Sequence, residues 1–444
     1  MKGGVLGKNM TARRLLNASL LVAVFFGLDK LVGLGRQVLV ARYFGLNAAL
    51  DAYNTANKLP DLLFALITGG ALAIAFIPVL TETLGRDGRE ALWRLFSRVA
   101  NLAFIITAAG AALMALFSLP LVRLVLAPGF DPQQQSLVAD LLRLNLIATL
   151  IFSISGLVMG ALQAQQHFWL PAIAPLLYNV GQIIGVTVLS PRFGIHGLAY
   201  GVILGALLHL AIQAPALLRY HFHWTPELTI SEPGVRRVLR LMGPRVLTLG
   251  MINLVFITTN NLASRLGTGA VSALTYGWLI LQLPETVIGT AAGTALLPTL
   301  SEHAARGEAA EFKRLLRRAV VVLLALTIPT TLISLVLVRP AIKLVFEGRA
   351  FTAADSELVI LAARMYLVGL AGQCLIEIGS RAFYALKDAR TPLLLSAVTL
   401  AVFIVAAVLL SLRLGFAGLA LANSLAFSIE AGLMLLILYR RRIL

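Results

Sequence analysis

Apolar stretches long enough to cross a membrane recur along the whole chain, and no long polar segment separates them. A helix needs roughly 20 mainly apolar residues to span the hydrocarbon core of a bilayer. Only 13% of the residues are charged and the mean hydropathy is +0.88, values that exclude a soluble globular domain. The chain is therefore predicted to be an all-α polytopic membrane protein without a separate soluble domain.

Charges, prolines and glycines divide this apolar sequence into about twelve predicted transmembrane helices. Several exceed the minimum length, so we expect tilted or kinked helices. The N-terminus lacks a small-residue cleavage site before Asp29, and we expect the first span to be retained. The predicted spans cover residues 16–42, 51–82, 93–123, 136–163, 169–190, 195–219, 238–264, 270–300, 314–339, 357–385, 391–412 and 416–439.

The formal charge of +17 does not indicate nucleic-acid binding, because the basic residues form neither one patch nor an arm with interleaved aromatic residues. Most of the 37 Lys and Arg residues fall near helix ends on one side of the predicted membrane. Cytoplasmic ends of membrane helices accumulate these residues. Both termini are therefore predicted to be cytoplasmic.

The chain repeats itself at about half its length. Residues 76–100 resemble residues 296–320, and the matched positions include charged ones, such as Arg94, which corresponds to Arg314. Chance similarity among apolar helices is the competing explanation, but it does not account for matched charged positions. An internal repeat in a transporter places the substrate site at the repeat interface.

This repeat predicts an N-terminal six-helix lobe, residues 1–220, and a C-terminal six-helix lobe, residues 221–444. Because six is even, both lobes enter the membrane from the same side and form parallel repeats. The expected product is a central cavity between them.

Three cations interrupt the first two predicted spans: Lys30 and Arg36 in KLVGLGRQVLVARYFG, and Lys58 in KLP. A charge at the bilayer centre costs roughly 2.5–3.5 kcal/mol on insertion scales, so these side chains must face protein or water. The equivalent C-terminal helices carry few charges, an asymmetry that packing does not require. A positively charged cavity wall suits an anionic substrate such as a pyrophosphate headgroup. Structural pairing or snorkelling is the competing interpretation for each cation.

Some charges within spans have a partner close in sequence, and these are expected to neutralise each other. The predicted pairs are Asp29 with Lys30 or Lys58, Asp140 with Arg143, and Glu377 with Arg381.

Helix-breaking residues interrupt the second and eighth spans, which are repeat partners. Paired interruptions of this kind point to a transporter binding site. The residues are Pro60, Gly69 and Gly70 in the second span, and Pro284, Gly289 and Gly293 in the eighth.

No catalytic constellation competes with transport. The glycine-rich stretches lack the Gly-Lys-Ser/Thr of a phosphate-binding loop, and the six histidines show no metal-ligand spacing. Cys374 is a lone thiol in an apolar run and is expected to have a packing role. We therefore expect no enzyme activity, no cofactor and no metal.

The stretch GLGRQVLVARYFGLNAALDAYNTANKLPDLLFALITGGALAIAFIPVL resembles the N-terminal signature of the MurJ/MviN family, the lipid II flippases of the MOP superfamily. Further matching blocks are APGF at 127–130, LMGP at 241–244, GTALLPTLS at 293–301, FEGRAFTAAD at 346–355 and FYALKDARTP at 383–392. The resemblance implies a MATE-like fold and alternating-access transport of a polyprenyl-pyrophosphate-linked peptidoglycan precursor.

Carried over by position, the resemblance implies a substrate-binding set of Lys30, Arg36, Asp51 and Lys58. The family's cavity arginines in the first helix fall on Lys30 and Arg36, and its KLP begins at Lys58. The acidic residue of the motif falls on Asp51, which we expect to orient a neighbouring cation rather than to touch the substrate.

This sequence departs from the family pattern at several cavity positions. Phe64 and Ala65 stand where the family has arginines, Trp278 and Leu279 replace an Asp-Arg pair, and Gln282 replaces a Glu. The family usually continues for two further helices that form a lipid-tail groove, whereas this sequence ends at RRRIL. At the replaced positions, at least two cavity arginines of the family pattern are absent from this sequence.

The resulting prediction is a bacterial inner-membrane flippase for lipid II. The alternatives are a flippase for another lipid-linked oligosaccharide, a MATE-like exporter, or a non-transporting membrane scaffold. The expected partners are the lipid-linked glycan precursor and membrane lipids, with cell-wall synthesis proteins as candidate partners and no nucleic acid. We expect a monomer.

Overall fold

The computed structural model of the chain describes residues 3–67 and 70–444, and the side chains within 24–66, 75–243 and 246–444. Its regular structure is helical throughout this part, apart from one isolated bridge between Gly348 and Phe351. The prediction of an all-α chain is confirmed. The helices are α1 Gly3–Phe44, α2 Ala48–Ala56, α3 Lys58–Ile67, α4 Gly70–Leu116, α5 Ser118–Leu121, α6 Pro132–Ala164, α7 Trp169–Ile184, α8 Ser190–Phe193, α9 His196–Ala211, α10 Ala214–Arg219, α11 Pro233–Ala263, α12 Ala270–Glu285, α13 Ala291–Arg306, α14 Ala309–Phe346, α15 Ala353–Leu367, α16 Leu370–Ala385, α17 Arg390–Leu414 and α18 Phe416–Arg440.

Within the described residues, nine helical segments are long and apolar enough to cross a membrane. The pair α15 and α16, bent by 45°, forms a tenth. These ten correspond in order to the third to twelfth predicted spans. The first two predicted spans, 16–42 and 51–82, include residues whose side chains are not described, so the full number of twelve stays a prediction.

The predicted interruptions take different forms in the second and eighth spans. α3 starts at Lys58, so Pro60 stands in its first turn, where the missing N–H costs no helical hydrogen bond. In the eighth span, α12 contains Pro284 and continues into a single π-helical turn that begins at Thr286. Gly69 lies outside the described residues.

Contacts between Cα atoms divide the chain into two compact units whose boundaries fall mostly inside helices. The first unit comprises the residues up to Val40, Leu59–Ser118 and Val138–Val246. The second comprises Ala41–Lys58, Leu119–Leu137 and Leu247–Leu444. The division into repeat lobes at residue 220 stays a prediction.

In the first unit, glycines let α7 and α9 approach at backbone distance. A Cβ added at Gly181 would lie 2.3 Å from the Gly205 backbone, and one added at Gly185 would lie 2.8 Å from Gly201 Cα. Small residues in membrane helices permit such close contacts.

In the second unit, α16 packs closely on α18 and on the π-helical turn after α12. A Cβ added at Gly372 would lie 2.7 Å from Ser428 Oγ, so any larger residue there would push α18 away. Cys374 is fully buried against Gly289, a packing environment of the kind that the sequence predicts.

Asp388 joins the loop between α16 and α17 to the end of α18. Its carboxylate accepts hydrogen bonds from Thr391 Oγ1 at 2.6 Å and from Arg441 Nη1 at 2.7 Å. Partial burial raises the pKa of Asp388, but these hydrogen bonds outweigh that effect and lower the pKa from 3.8 to about 2.

Asp388→Asn should destabilise the folded protein at neutral pH by about 1–2 kcal/mol, because charged hydrogen bonds are lost. The folded-state pKa is depressed, so this contribution is complete above 3.8 and disappears as the pH falls through about 2. Thermal unfolding of the purified wild-type protein and the variant over a pH series measures this. A stability gap that is already lost at about pH 5 would contradict the assignment.

Candidate functional site

Asp51 is fully buried in α2 and caps the N-terminus of α12. Its two carboxylate oxygens accept hydrogen bonds from Gly269 N at 2.6 Å and from Ser272 N at 2.8 Å. The first N–H groups of a helix have no intrahelical partner and carry partial positive charge, so a carboxylate there is stabilising. Gly269 itself has a φ of 85°, a conformation that favours glycine. The prediction that Asp51 orients a neighbouring cation is wrong, because its partners are backbone amides.

Further polar contacts extend this cap across the second unit. Asn54 Nδ2 donates to Ser272 Oγ at 3.0 Å, and Thr55 Oγ1 donates to Asn260 Oδ1 at 3.3 Å. Asn260 Nδ2 in turn donates to Leu126 O at 2.9 Å. The cap is therefore one end of a polar cluster that connects α2, α11, α12 and the segment after α5.

Lys58 lines a cavity of about 60 Å³ that the same cluster borders. The cavity has room for about four water molecules. Its polar lining includes Asn260 and Thr259, and its aromatic lining comprises Phe256, Trp278 and Tyr366. Lys58 thus lines the same cavity as Asn260, which accepts a hydrogen bond from Thr55, four residues after Asp51.

Trp278 occupies one of the positions where the family pattern has a charged residue. Its ring packs edge-on against Phe256 at 5.1 Å and against Tyr366 at 5.5 Å between centroids. An aromatic cluster of this kind contributes packing energy but no charge. In this unit, the lost charged position has become part of an apolar wall.

Phe64 shows the same replacement in the first unit. Its ring packs edge-on against Phe152 at 5.6 Å, and Phe152 contacts Tyr178 at 4.8 Å. The position where the family has an arginine therefore belongs to an aromatic cluster here.

Lys30 and Arg36 lie on α1 in the first unit. Lys30 is exposed, with its ammonium 5.2 Å from the centroid of the Phe26 ring. Asp29 accepts a hydrogen bond from Asn179 Nδ2 at 2.8 Å. The predicted pair of Asp29 with Lys30 is wrong, because adjacent residues on a helix point in different directions and each has another partner.

Arg36 is half-buried, and the described residues offer it no ion pair or hydrogen bond. The predicted pairs of Asp140 with Arg143, at 2.9 Å, and of Glu377 with Arg381 are confirmed, whereas the alternative pair of Asp29 with Lys58 stays a prediction. Arg36 differs from these in having no acidic residue three or four positions away. A half-buried, unpaired guanidinium in a membrane helix is suited to an anionic ligand.

Arg364 on α15 has the same character, and sequence reasoning did not select it. It is half-buried, and no side-chain partner for it exists among the described residues. Residues 360, 361, 367 and 368 are all apolar. The absence of an acidic residue three or four positions away would have identified Arg364 from the sequence.

Comparison with known sequences gives one consistent family. The family model "Lipid II flippase MurJ" matches residues 40–444. The lipid II flippase MurJ of Burkholderia cenocepacia is 31% identical over 438 residues, which are 97% of this chain and 84% of the relative. The probable lipid II flippase MurJ of Bdellovibrio bacteriovorus is 29% identical over 429 residues, which cover 95% and 82% of the two chains.

Solved structures show the same fold. A lipid II flippase MurJ in an inward closed conformation matches with a TM-score of 0.82 and 24% identity, over 95% of this chain and 87% of that one. An inward-facing multidrug resistance MATE family transporter of the MOP superfamily matches with a TM-score of 0.78 and 17% identity, over 94% of each chain. The predicted MATE-like fold is confirmed.

Proposed function

The chain belongs to the MurJ family, and from this premise we propose that it moves lipid II across the bacterial inner membrane by alternating access. The proposal rests on the half-buried guanidinium of Arg36, which has no hydrogen-bond or ion-pair partner among the residues that the structure describes. Lipid II carries a pyrophosphate between its polyprenyl tail and its sugars. Because this group is anionic and lies next to the lipid tail, a cation in a membrane helix can bind it.

Arg36 is the principal contact for the pyrophosphate. A guanidinium presents paired N–H donors that match phosphate oxygens, and the hydrogen bonds gain strength away from bulk water. Lys30 lies six residues earlier on α1, and its exposed ammonium adds positive charge. Lys58, which lines the small cavity of the second unit, is the third proposed contact.

Asp51 serves the transport cycle without touching the substrate. Its hydrogen bonds to Gly269 and Ser272 hold α2 against α12 in this conformation. Alternating access needs contacts that form in one state and break in another, and a charged helix cap can be reversed without covalent change. The cap is therefore proposed to stabilise one end state of the cycle.

The protein is a multi-pass membrane protein of a bacterial family. We propose that it acts in the inner membrane as a monomer with both termini cytoplasmic, where its lipid-linked substrate is made. Cell-wall synthesis proteins are its candidate protein partners.

Expression of this chain should restore growth and cell shape to a bacterium depleted of its own lipid II flippase. Rescue tests the substrate directly, because only lipid II transport relieves that depletion. An epitope-tagged copy measures the amount of protein in the membrane, and an empty vector is the negative control. Failure to rescue with normal amounts in the membrane would overturn the lipid II assignment.

A flippase for another lipid-linked oligosaccharide is the second candidate. One observation favours it: Phe64 and Trp278 place aromatic rings where the family pattern has charged residues. If rescue fails, transport assays in proteoliposomes with other polyprenyl-linked oligosaccharides separate this candidate from a MATE-like exporter and from a scaffold without transport.

A further inference from the structure

Glu430 is a buried carboxyl group in the middle of α18. Its side chain is 4% exposed. Ten residues separate it from Arg440 and fourteen from Phe416, which places it about 15 Å and about 21 Å from the two ends of the helix. It is the one charged residue of α18 before Arg440. The proposed transport role does not use it.

Two hydroxyl groups of α17 contact this carboxyl group. Thr399 Oγ1 lies 2.8 Å from Glu430 Oε2, and Ser396 Oγ lies 3.3 Å from Glu430 Oε1. Ser396 and Thr399 are the only polar residues of α17 between Thr391 and Ser411. The polar atoms of this apolar helix pair thus converge on Glu430.

Each of the two hydroxyl groups has two acceptors within hydrogen-bond distance. Thr399 Oγ1 also lies 2.9 Å from Leu395 O, and Ser396 Oγ also lies 3.0 Å from Pro392 O. Each hydroxyl has one proton, so two protons face two carbonyl oxygens and two carboxyl oxygens. A proton on Glu430 Oε2 can be donated to Thr399 Oγ1, which leaves the Thr399 hydroxyl free to donate to Leu395 O.

No cation among the described residues neutralises Glu430. On the helices packed against α18, Arg381 of α16 pairs with Glu377, and α17 carries charged residues only at its ends, Arg390 and Arg413. None of these forms an ion pair or hydrogen bond with Glu430.

Other titratable residues on the helices packed against α18 do not pair with Glu430 either. Arg364 and Tyr366 of α15, Cys374 of α16 and Glu285 of α12 make no hydrogen bond or ion pair with Glu430. Burying an ionised carboxylate without a cation is far more costly than burying its neutral acid.

We propose that Glu430, with Thr399 and Ser396, is a proton-binding site, and that release and rebinding of its proton are steps of the transport cycle. The O–H bond of Glu430 is the only bond made or broken: water takes the proton when the α17–α18 pair opens and returns it when the pair closes. The coupling rests on the proposed flippase function, whereas the protonated state does not.

Infrared difference spectroscopy of the purified protein tests the protonated state. Wild-type protein minus Glu430→Gln should show the carbonyl stretch of a neutral carboxylic acid at neutral pH. Glu377→Gln is the matched control and should show none, because the Glu377 carboxylate forms an ion pair with Arg381. Absence of the Glu430 band, or its loss on adding Na⁺ at constant pH, would overturn the proton site in favour of an ionised carboxylate or a cation site.

The same Glu430→Gln variant tests whether the proton site is coupled to transport. Glu430→Gln mimics the neutral acid, so it should fold with a thermal midpoint close to the wild-type value yet lower lipid II transport at least tenfold in a rescued strain or in proteoliposomes. Thr399→Val, which removes the hydroxyl next to Glu430 Oε2, should keep the infrared band but shift it to higher frequency. Full transport by Glu430→Gln would overturn the coupling and leave the flippase function standing. Failure of the wild-type chain to transport lipid II would instead overturn the proposed function, while the infrared result still decides the site.

Discussion

Arg36→Ala should abolish rescue of a strain depleted of its lipid II flippase, although the variant reaches the membrane in normal amounts. The described residues offer this guanidinium no partner, so its removal costs the fold little and the pyrophosphate contact much. A hydrogen bond to a charged group is worth about 1.5–3 kcal/mol, which corresponds to a roughly 10- to 100-fold loss of affinity for the lipid-linked pyrophosphate. Native mass spectrometry of lipid II binding to the purified variant measures that loss directly.

Two variants separate a specific pyrophosphate contact from a general need for positive charge. Arg36→Lys keeps the charge but loses the paired donors, so it should restore part of the affinity. Arg42→Ala removes another cation of α1, whose guanidinium donates to Leu344 O at 3.4 Å, and it should keep lipid II binding. Equal loss in Arg36→Ala and Arg42→Ala, or full rescue by Arg36→Ala, would show that Arg36 has no special role in the headgroup contact.

The parts of the fold that follow from local sequence could be predicted. Apolar run length alone locates the third to twelfth spans, because crossing a bilayer sets a minimum length. Spacing along a helix also suffices for the pair of Asp140 with Arg143, since residues three positions apart share one face.

Contacts between distant parts of the chain could not be predicted in this way. Asp51 binds backbone amides 218 and 221 residues away, and no property of its own neighbourhood indicates them. Asp29 bonds to Asn179 across 150 residues, whereas its sequence neighbour Lys30 was the predicted partner. An acidic residue in a membrane helix can bind a cation, a helix N-terminus or an amide, and only the packing distinguishes them.

The candidate site combines both kinds of information. Arg36 was identified from the sequence because it belongs to a group of cations in the first two predicted spans that has no counterpart in the equivalent C-terminal helices. The structural consequence of the departures at Phe64 and Trp278 required three-dimensional contacts, which show both rings inside aromatic clusters. The loss of charge at these positions is therefore accompanied by apolar packing, so restoring an arginine at either one would disrupt a cluster.

Asp51→Ala should destabilise the protein by about 3 kcal/mol, because two backbone N–H groups at the start of α12 lose a charged acceptor in a buried position. Asp51→Asn keeps one acceptor oxygen and should cost about half as much. Asn47→Ala is the matched control on the same helix: Asn47 caps α2 through Leu50 N at 2.8 Å near the surface, and its loss should cost about 1 kcal/mol. Thermal and chemical unfolding of the purified proteins measure all three. If Asp51→Ala were no more destabilising than Asn47→Ala, the buried carboxylate would contribute no more than an ordinary helix cap, and its proposed role in stabilising one end state of the transport cycle would fail with it.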